Sequence, residues 1–191
     1  LTIIILQLII SNIVKKTKAL PTMITGIGIG TLGLVMLSLS QSFWFFFAGI
    51  IIFSIGEMTA HPKYISYLGL IAPPDKKATY MGFGFLYGGF GSLIAGILGA
   101  NLYILFVDNP MIAFVREKLT AMGKAAKLAE DATILDAFAV AEKVGISKPD
   151  VLNHAHTTTF WLVIAGIGIM SITGLLLYDK LIGTRTSSDV K

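Results

Sequence analysis

The chain has 191 residues, of which 54% are hydrophobic and only 14% are charged, with no cysteine and a formal net charge of +4. Soluble domains carry about 25% charged residues, so this composition excludes an ordinary soluble domain. The absence of cysteine excludes disulfides and thiolate metal sites. Long uncharged runs recur and predict an all-α integral membrane protein, in which the positive charge reflects cytoplasmic lysines and not nucleic-acid binding.

The first apolar run, residues 1–14, begins without an initiator Met and is short for a membrane span. It lacks the basic region and the small-residue cleavage site of a signal peptide. We therefore interpret it as a truncated transmembrane helix of a longer protein, whose missing N-terminal half supplies part of any binding site. The run ends in a basic loop that contains Lys15, Lys16 and Lys18.

Residues 22–40 form an uncharged span that follows Pro21 and contains a literal GxGxxG pattern at Gly28, Gly30 and Gly33. A dinucleotide site requires a strand before this pattern and a helix after it, whereas here the pattern lies inside a membrane helix. We therefore expect the glycines to allow close packing against a neighbouring helix.

Residues 43–71 form an apolar run with a single carboxylate, Glu57. An ionisable side chain at membrane depth costs at least a few kcal/mol, which makes it a functional-site hypothesis. A helix that ends at Ala60 leaves Glu57 near the membrane surface, whereas a helix that continues past Pro62 holds it near mid-depth. The apolar pattern continues to Ile71 and favours the longer helix, with a bend at the proline.

Glu57 is a candidate for binding a substrate ammonium group or for exchanging a proton as a cavity opens to each side. The alternative is a structural role, in which Glu57 pairs with a Lys, an Arg or a backbone group on a missing helix. His61 follows one helical turn later, so its ring can reach Glu57 and relay protons. The alternative for His61 is a polar residue at the cytoplasmic mouth. These two residues provide too few ligands for a zinc site, and no metal is expected.

Residues 80–106 form the longest uncharged run and are rich in glycine. Small residues recur in it at intervals of four: Gly84, Gly88, Ser92 and Gly96. This spacing places them on one helix face and predicts close packing against a neighbour. Tyr64, Tyr67, Tyr80 and Tyr87 could all line a cavity. Tyr87 lies deep in the run and is the candidate for a substrate cavity, whereas an interface position is favoured for Tyr64 and Tyr80.

Residues 108–156 are polar, charged and rich in alanine, and we refer to them as the insertion. Two or three amphipathic helices outside the membrane are expected, packed on the bundle mouth or lying at the lipid interface. The first begins beside Pro110 and stops at Gly123, the second stops near Gly145, and a short third one begins at Ser147. The residues expected to form their apolar stripes are Phe114, Leu119, Met122, Ile134, Leu135, Phe138 and Val144.

Residues 157–178 form the last span, and residues 179–191 form a polar tail. Successive loops alternate between the two sides of the membrane, so that loops 15–18 and 63–77 share a side with the tail. This side has a clear excess of Lys and Arg, which indicates the cytoplasm. The chain is therefore expected in the cell (inner) membrane as a multi-pass protein, with its C-terminus in the cytoplasm and residues 108–156 on the opposite side.

Two motifs carry a resemblance to a known family: Gly56-Glu57-x4-Pro62-x3-Ser66-x5-Ala72-Pro73 and Met81-Gly82-x2-Phe85-Leu86. They resemble motifs of the tenth and eleventh core helices of the proton-dependent oligopeptide transporters, which belong to the major facilitator superfamily. The resemblance implies a C-terminal half fragment with about five transmembrane helices and the extramembrane insertion. Core helices 8 to 11, the first truncated, then correspond to residues 1–107.

The resemblance implies a proton-coupled symporter of small solutes, most favourably di- and tripeptides, that works by alternating access. It implies no bound cofactor, because the proton gradient is the driving force. The expected partners are the substrate, protons, the lipid bilayer and the missing N-terminal half. Glu57 would lie in the central cavity and recognise the amino terminus of a peptide.

The chain departs from the family pattern at four positions: His61 replaces Ser, Tyr64 replaces Gly, Leu70 replaces Lys and Gly84 replaces Trp. Two alternatives to peptide transport stay open. One is a major facilitator transporter of a sugar, an organic anion or a drug, and the other is a non-transporting membrane protein that uses the insertion to bind a partner. No nucleophile and base are spaced for catalysis, so an enzyme is not expected.

Overall fold

In the computed structural model, every regular element of the described part of the chain is helical. The described part comprises residues 7, 9–10, 12–40, 42–124 and 127–183, with side chains up to residue 181. Four helices within it are long and apolar enough to cross a membrane, in agreement with the prediction of an all-α, multi-pass membrane protein. Most of the predicted truncated helix and the end of the tail, residues 184–191, lie outside the described part.

The helices are α1 (Ala19–Leu39), α2 (Phe43–Ile71), α3 (Lys77–Tyr103), α4 (Asn109–Ala121), α5 (Ile134–Val144), α6 (Lys148–Leu152) and α7 (Thr157–Tyr178). A 3-10 turn precedes α3, and π-helical turns follow α3 at Ile104–Asp108 and α7 at Asp179–Gly183. The described residues belong to two compact units. The first unit extends to Phe90 and resumes at Trp161, and the second unit is Gly91–Phe160.

Helices α1 and α2 of the first unit approach each other through glycine. A Cβ atom added to Gly26 would lie 2.8 Å from the carbonyl oxygen of Gly56, and one added to Gly33 would lie 2.7 Å from that of Gly49. A Cβ atom on Gly56 would overlap the backbone nitrogen of Gly30. Only glycine permits these contacts at Gly26, Gly33 and Gly56, which confirms the packing interpretation for Gly33. A Cβ atom on Gly30 would make an ordinary contact with Phe53 at 3.8 Å.

The opposite side of α1 faces α7. A Cβ atom on Gly28 would point towards Ile172 Cδ1 at 4.0 Å, and one on Gly168 would overlap the side chain of Thr31. Helix α1 therefore packs between α2 and α7. Within the GxGxxG pattern, Gly28 faces α7, whereas Gly30 and Gly33 face α2.

Helix α2 is unbroken from Phe43 to Ile71 with Pro62 inside it, so the longer of the two predicted helices is confirmed. The bend at the proline stays a prediction. The prediction that Lys63 belongs to the loop of residues 63–77 is wrong, because Lys63 lies within α2 and is only 6% exposed. Its Nζ donates to the carbonyl oxygen of Thr17 at 2.6 Å, and this contact holds its aliphatic stem against the protein.

Helix α3 continues into the insertion without leaving helical conformation. An α-helix begins at Asn109 as predicted, but Asp108 before it is itself helical, with φ −69° and ψ −51°. Pro110 has no N–H for the carbonyl of Phe106 four residues earlier. The backbone N–H of His156 donates to this carbonyl at 2.8 Å instead. A distant residue therefore supplies the missing donor.

Three helices of the described insertion end or begin where the sequence predicts. Gly123 and Gly145 follow α4 and α5 with φ of +68° and +83°, a region that glycine adopts without strain. Helix α5 starts with a capping box, in which Thr133 and Asp136 each bind the backbone N–H of the other. Ser147 precedes α6, although its side chain does not cap that helix.

The insertion has its own apolar core, in which Val115, Leu119 and Val151 are fully buried. Two residues of the predicted stripes are exposed, which corrects the prediction: Met122 is 45% exposed and Leu135 is 76% exposed. The alanines Ala137 and Ala141 form the buried face of α5 instead. Their small side chains let α5 approach the core more closely than a leucine does.

Candidate functional site

A cavity of about 390 Å³ in the first unit is lined by residues of α1, α2, α3 and α7. Helix α1 contributes mainly glycine and aliphatic side chains. Helix α2 contributes the polar wall with Glu57, His61 and Tyr64. These three residues follow each other at intervals of four and three, so they share one helix face. The volume lies within the range of about 300–1,000 Å³ that is usual for small-molecule sites.

Tyr87 connects this polar wall to α3. Its Oη lies 2.9 Å from His61 Nδ1, and either atom can donate, depending on the histidine tautomer. The Tyr64 ring meets the Tyr87 ring edge-on, with centroids 4.3 Å apart, and the Tyr64 hydroxyl donates to the carbonyl of Gly84 at 3.1 Å. Two hydrogen bonds and one ring contact therefore fix the aromatic side of the cavity.

The Glu57 side chain is exposed and forms no ion pair with a basic residue of the described part. It also borders a second cavity of about 220 Å³, together with Gln7, His61 and Pro62. Glu57 and His61 thus lie on the wall between two cavities. A structural ion pair for Glu57 is absent within the described residues, and a partner on a missing half stays a prediction.

The structure brings three predicted site residues together, because Glu57, His61 and Tyr87 line the same cavity. Tyr64, for which the sequence favours a position at the membrane interface, also lies in the wall of this cavity, and its depth in a membrane stays a prediction. Its spacing of three residues after His61 was a sequence signal for this position. The contact between His61 and Tyr87 had no such signal, because they lie 26 residues apart and on different helices.

Four small residues are predicted to form a packing face on α3. Among the described residues, one of the four, Gly84, is packed against a neighbouring helix. A Cβ atom on Gly84 would overlap the Leu68 side chain of α2. A Cβ atom on Gly88 or Gly96 would meet no atom within 4 Å, and Ser92 is exposed. Close packing of the other three positions stays a prediction that requires a neighbour from outside the described residues.

Metal ligands are not clustered in the described residues, where no group of three His, Asp or Glu side chains is placed to hold an ion. His154 of the insertion stacks on Phe114, with ring centroids 3.7 Å apart. Its Nδ1 lies 2.7 Å from the carbonyl oxygen of Asp150, which can only accept, so Nδ1 carries a proton. These contacts give His154 a structural role.

The cavity has the chemistry to bind a small ammonium group. A carboxylate attracts a cation through its charge, and the faces of tyrosine rings attract it through their quadrupole. The aliphatic wall from α1 suits the apolar part of such a ligand. The hydrogen bond between His61 and Tyr87 adds a pair of groups between which a proton can move.

Neither a protein-family model, nor a curated protein, nor a solved structure matches the chain. The resemblance to the proton-dependent oligopeptide transporters therefore stays a prediction from its motifs. The fold defines an all-α chain with several helices suited to span a membrane, and the cavity beside Glu57 is its candidate site.

Proposed function

We propose that the chain forms part of a proton-coupled secondary transporter for small solutes that carry an amino group, with di- and tripeptides as the leading class. The observation that carries the proposal is that Glu57, a carboxylate without an ion pair in the described part of the chain, shares one cavity with the rings of Tyr64 and Tyr87. An intramembrane carboxylate without a partner is costly, and a cationic substrate offsets this cost when it binds.

Different residues of the cavity wall suit different parts of a substrate. Glu57 pairs with the substrate ammonium group, and the tyrosine rings surround its remaining N–H bonds. The side chains of Met23, Ile27 and Leu34 on α1 face the same space and suit apolar substrate groups. Such a surface tolerates varied side chains while it selects for the amino group.

A symporter carries the proton and the substrate together, so the proton must be held on a group other than the carboxylate that binds the ammonium group. The proposed carrier is His61, and transfer of its proton to Glu57 after the cavity opens to the cytoplasm removes the charge that holds the substrate and releases it. His61 lies one helical turn from Glu57, and its imidazole can take up a proton and pass it on. Tyr87, within hydrogen-bond distance of His61, keeps the imidazole oriented towards the cavity.

The proposed architecture is the C-terminal half of a major facilitator transporter, as the resemblance implies. The half would rock against an N-terminal half around a site near the bilayer midplane. The exposed side chain of Glu57 supports this arrangement, because a face that the chain leaves open is available to the other half. The tail would lie in the cytoplasm and the insertion on the other side.

Uptake by the full-length protein in liposomes tests the proposal. An inward proton gradient is expected to drive uptake of labelled dialanine, and Glu57→Gln is expected to lower it at least tenfold, since loss of one ion pair of about 1.4 kcal/mol has that effect. Glu117→Gln, on the exposed surface of α4, is the matched control and should retain uptake. Equal uptake by both variants would show that Glu57 has no role in transport.

Competition with N-acetyl-dialanine separates amino-group recognition from peptide transport in general. The acetylated peptide lacks the ammonium group and should compete poorly against labelled dialanine. Equal competition would contradict the assigned role of Glu57 while leaving transport itself intact.

A second candidate function is a membrane protein that binds a partner through its insertion. The separate apolar core around Val115, Leu119 and Val151 favours it, since such a core can hold a binding surface. Removal of the insertion discriminates between the two functions. A transporter should retain dialanine uptake after the removal, whereas an interaction protein should lose its partner and show no uptake in either form.

A further inference from the structure

A groove of about 660 Å³ in the first unit lies beside the basic loop and apart from the cavity of Glu57. One wall is formed by aliphatic residues that precede the loop, Ile10, Ile13 and Val14. The opposite wall is the beginning of α1, from Pro21 to Thr25, and Thr59 of α2 contributes as well. From Lys18 at its mouth to Thr25 the groove follows about 10 Å of helix.

The groove is apolar in spite of its threonines, because their hydroxyls donate to carbonyl oxygens of their own segments. The pairs are Thr17 with Val14 at 2.7 Å, Thr22 with Lys18 at 2.7 Å, Thr25 with Pro21 at 2.9 Å and Thr59 with Ile55 at 2.8 Å. Since these donors are already used, the threonines offer mainly methyl groups to a ligand. A hydrocarbon chain fits such a wall better than a polar solute does.

Positive charge is concentrated in the loop beside the groove, where Lys18 lines the groove and Lys15 and Lys16 precede it in the sequence. Lys15, Lys16 and Lys18 are exposed, and none of them forms an ion pair with a carboxylate of the described residues. Residues 1–56 contain no Asp or Glu, so no counter-ion lies nearby in the sequence. The buried Lys63 also forms no ion pair within the described residues. Its ammonium group donates to the carbonyl oxygen of Thr17, a residue that lines the groove.

We propose that this groove binds one anionic phospholipid, with an acyl chain along the threonine and aliphatic walls and the phosphate among the lysines of the loop. The occupant follows from complementarity. An apolar slot beside lysines that form no ion pair within the described residues matches a molecule with a hydrocarbon tail and a negative head. Basic clusters at the ends of membrane helices attract anionic lipids for this reason. The proposal does not depend on transport.

Native mass spectrometry of the delipidated protein tests the charge requirement, with phosphatidylglycerol and phosphatidylcholine of identical acyl chains as probes. The wild type should bind one phosphatidylglycerol at least fivefold more tightly than phosphatidylcholine, since one lysine near the surface contributes roughly that factor. K15Q/K18Q should lose this preference. K76Q/K77Q, with the same charge change in the other basic loop, should keep it, and an equal loss in both variants would overturn the site.

A second pair of variants tests the groove without a change of charge. Thr25→Phe fills the groove and should abolish the preference for phosphatidylglycerol. Thr173→Phe is the matched control, because Thr173 is also exposed and also donates to a carbonyl of its own helix, Ile169 at 2.9 Å. If Thr25→Phe does not elute and melt as the wild type does, Thr25→Leu replaces it. Unchanged lipid preference in a folded Thr25 variant would overturn the proposal.

A water-soluble competitor tests the role of the acyl chain. Excess glycerol 3-phosphate should leave phosphatidylglycerol bound, since it provides the anion without the hydrocarbon. Displacement by glycerol 3-phosphate would contradict an acyl-binding groove. Neither outcome bears on dialanine uptake, so the lipid site and the proposed transport function can fail separately.

Discussion

In the α1–α2 pair the closest contacts join backbone to backbone, whereas in the α4–α6 core they join side chain to side chain. A Cβ atom on Gly56 would overlap the backbone of α1, while Leu119 and Val115 are fully buried among apolar neighbours. Apolar side chains associate in this way where water is the solvent, as the sequence predicts for the insertion. Lipid solvates them as well as protein does, so small residues and close backbone approach decide the membrane contacts.

Polar groups show the same contrast between the two regions. The buried polar or charged side chains of the described part are Thr31, Ser38, Thr59 and Lys63, which all belong to the first unit. Large apolar side chains such as Phe43 and Trp44 are exposed there, at 66% and 73%. Apolar character therefore marks the interior of the insertion, but it does not mark the interior of the membrane helices.

Truncation of a core leucine in the insertion should have the largest effect on stability. Leu119→Ala is expected to lower the free energy of unfolding of the α4–α6 core by about 3 kcal/mol, because it leaves a cavity among buried neighbours. Hydrogen exchange of the α4–α6 amides measures this change. Leu135→Ala, at a 76% exposed position, should change it by less than about 0.5 kcal/mol. Equal losses of stability in the two variants would show that the buried Leu119 contributes no more to the fold than the exposed Leu135.

A methyl group on a glycine should be the damaging change in the membrane pair. Gly56→Ala is expected to cost about 2 kcal/mol, because its Cβ atom overlaps the backbone of α1 and the helices must separate. The thermal midpoint of the detergent-solubilised protein measures the loss. Gly88→Ala, where a Cβ atom meets no atom within 4 Å, should leave the midpoint unchanged or slightly higher. If both variants melt alike, glycine packing does not hold the pair.

Loss of the Tyr87 hydroxyl should have a smaller effect, since interhelical hydrogen bonds in membranes contribute about 0.6 kcal/mol on average. Tyr87→Phe removes the partner of His61 and keeps the ring contact with Tyr64. Tyr80→Phe, on the same helix, removes a hydroxyl that forms no hydrogen bond within the described residues. A lower midpoint in Tyr87→Phe alone is the expected result, and equal midpoints would show that the bond contributes no stability.

The smallest effect concerns the cap of α5. Hydrogen bonds from the Thr133 side chain and backbone hold the pKa of Asp136 below its ordinary value of 3.8. The folded state thus favours the carboxylate, and its contribution to stability is present above that pH and is lost as the pH falls through the folded-state pKa. Asp136→Asn should lower protection of the first α5 amides at neutral pH, and the difference from wild type should vanish in acid.

Asp131→Asn is the matched control for the cap, because Asp131 is exposed and lies just before the box. It should leave protection of α5 unchanged at every pH. A difference between Asp136→Asn and wild type that persists in strong acid would show that the carboxylate charge is not the cause.

The helices themselves were largely predictable from the sequence. Residues 157–178 were predicted as the last span, and α7 occupies Thr157–Tyr178. The continuation of α2 beyond Pro62 followed from its apolar pattern, and the end of α5 followed from Gly145. Each of these depends on local chemistry, namely the length of an apolar run or the conformational freedom of one residue.

The candidate site was only partly predictable. Glu57 and His61 were placed together because they lie one turn apart on a single helix. Tyr64 was one of several tyrosines that could line a cavity, and its spacing fits the same face. The pairing of His61 with Tyr87 depends on how α2 meets α3. Lys63 was assigned to a loop, because the sequence does not reveal that Thr17 offers a carbonyl to its ammonium group.

By itself, the sequence determined that the chain is helical, which segments are apolar enough to span a membrane, and where a lone carboxylate interrupts them. These properties are local, because they follow from composition and period along one segment. Only the tertiary structure decided that Gly56 meets α1, that Leu135 faces solvent and that Tyr87 reaches His61. In lipid nearly every side chain is apolar, so hydrophobicity does not specify which face is in contact, and that choice depends on shape and on hydrogen-bond partners from distant segments.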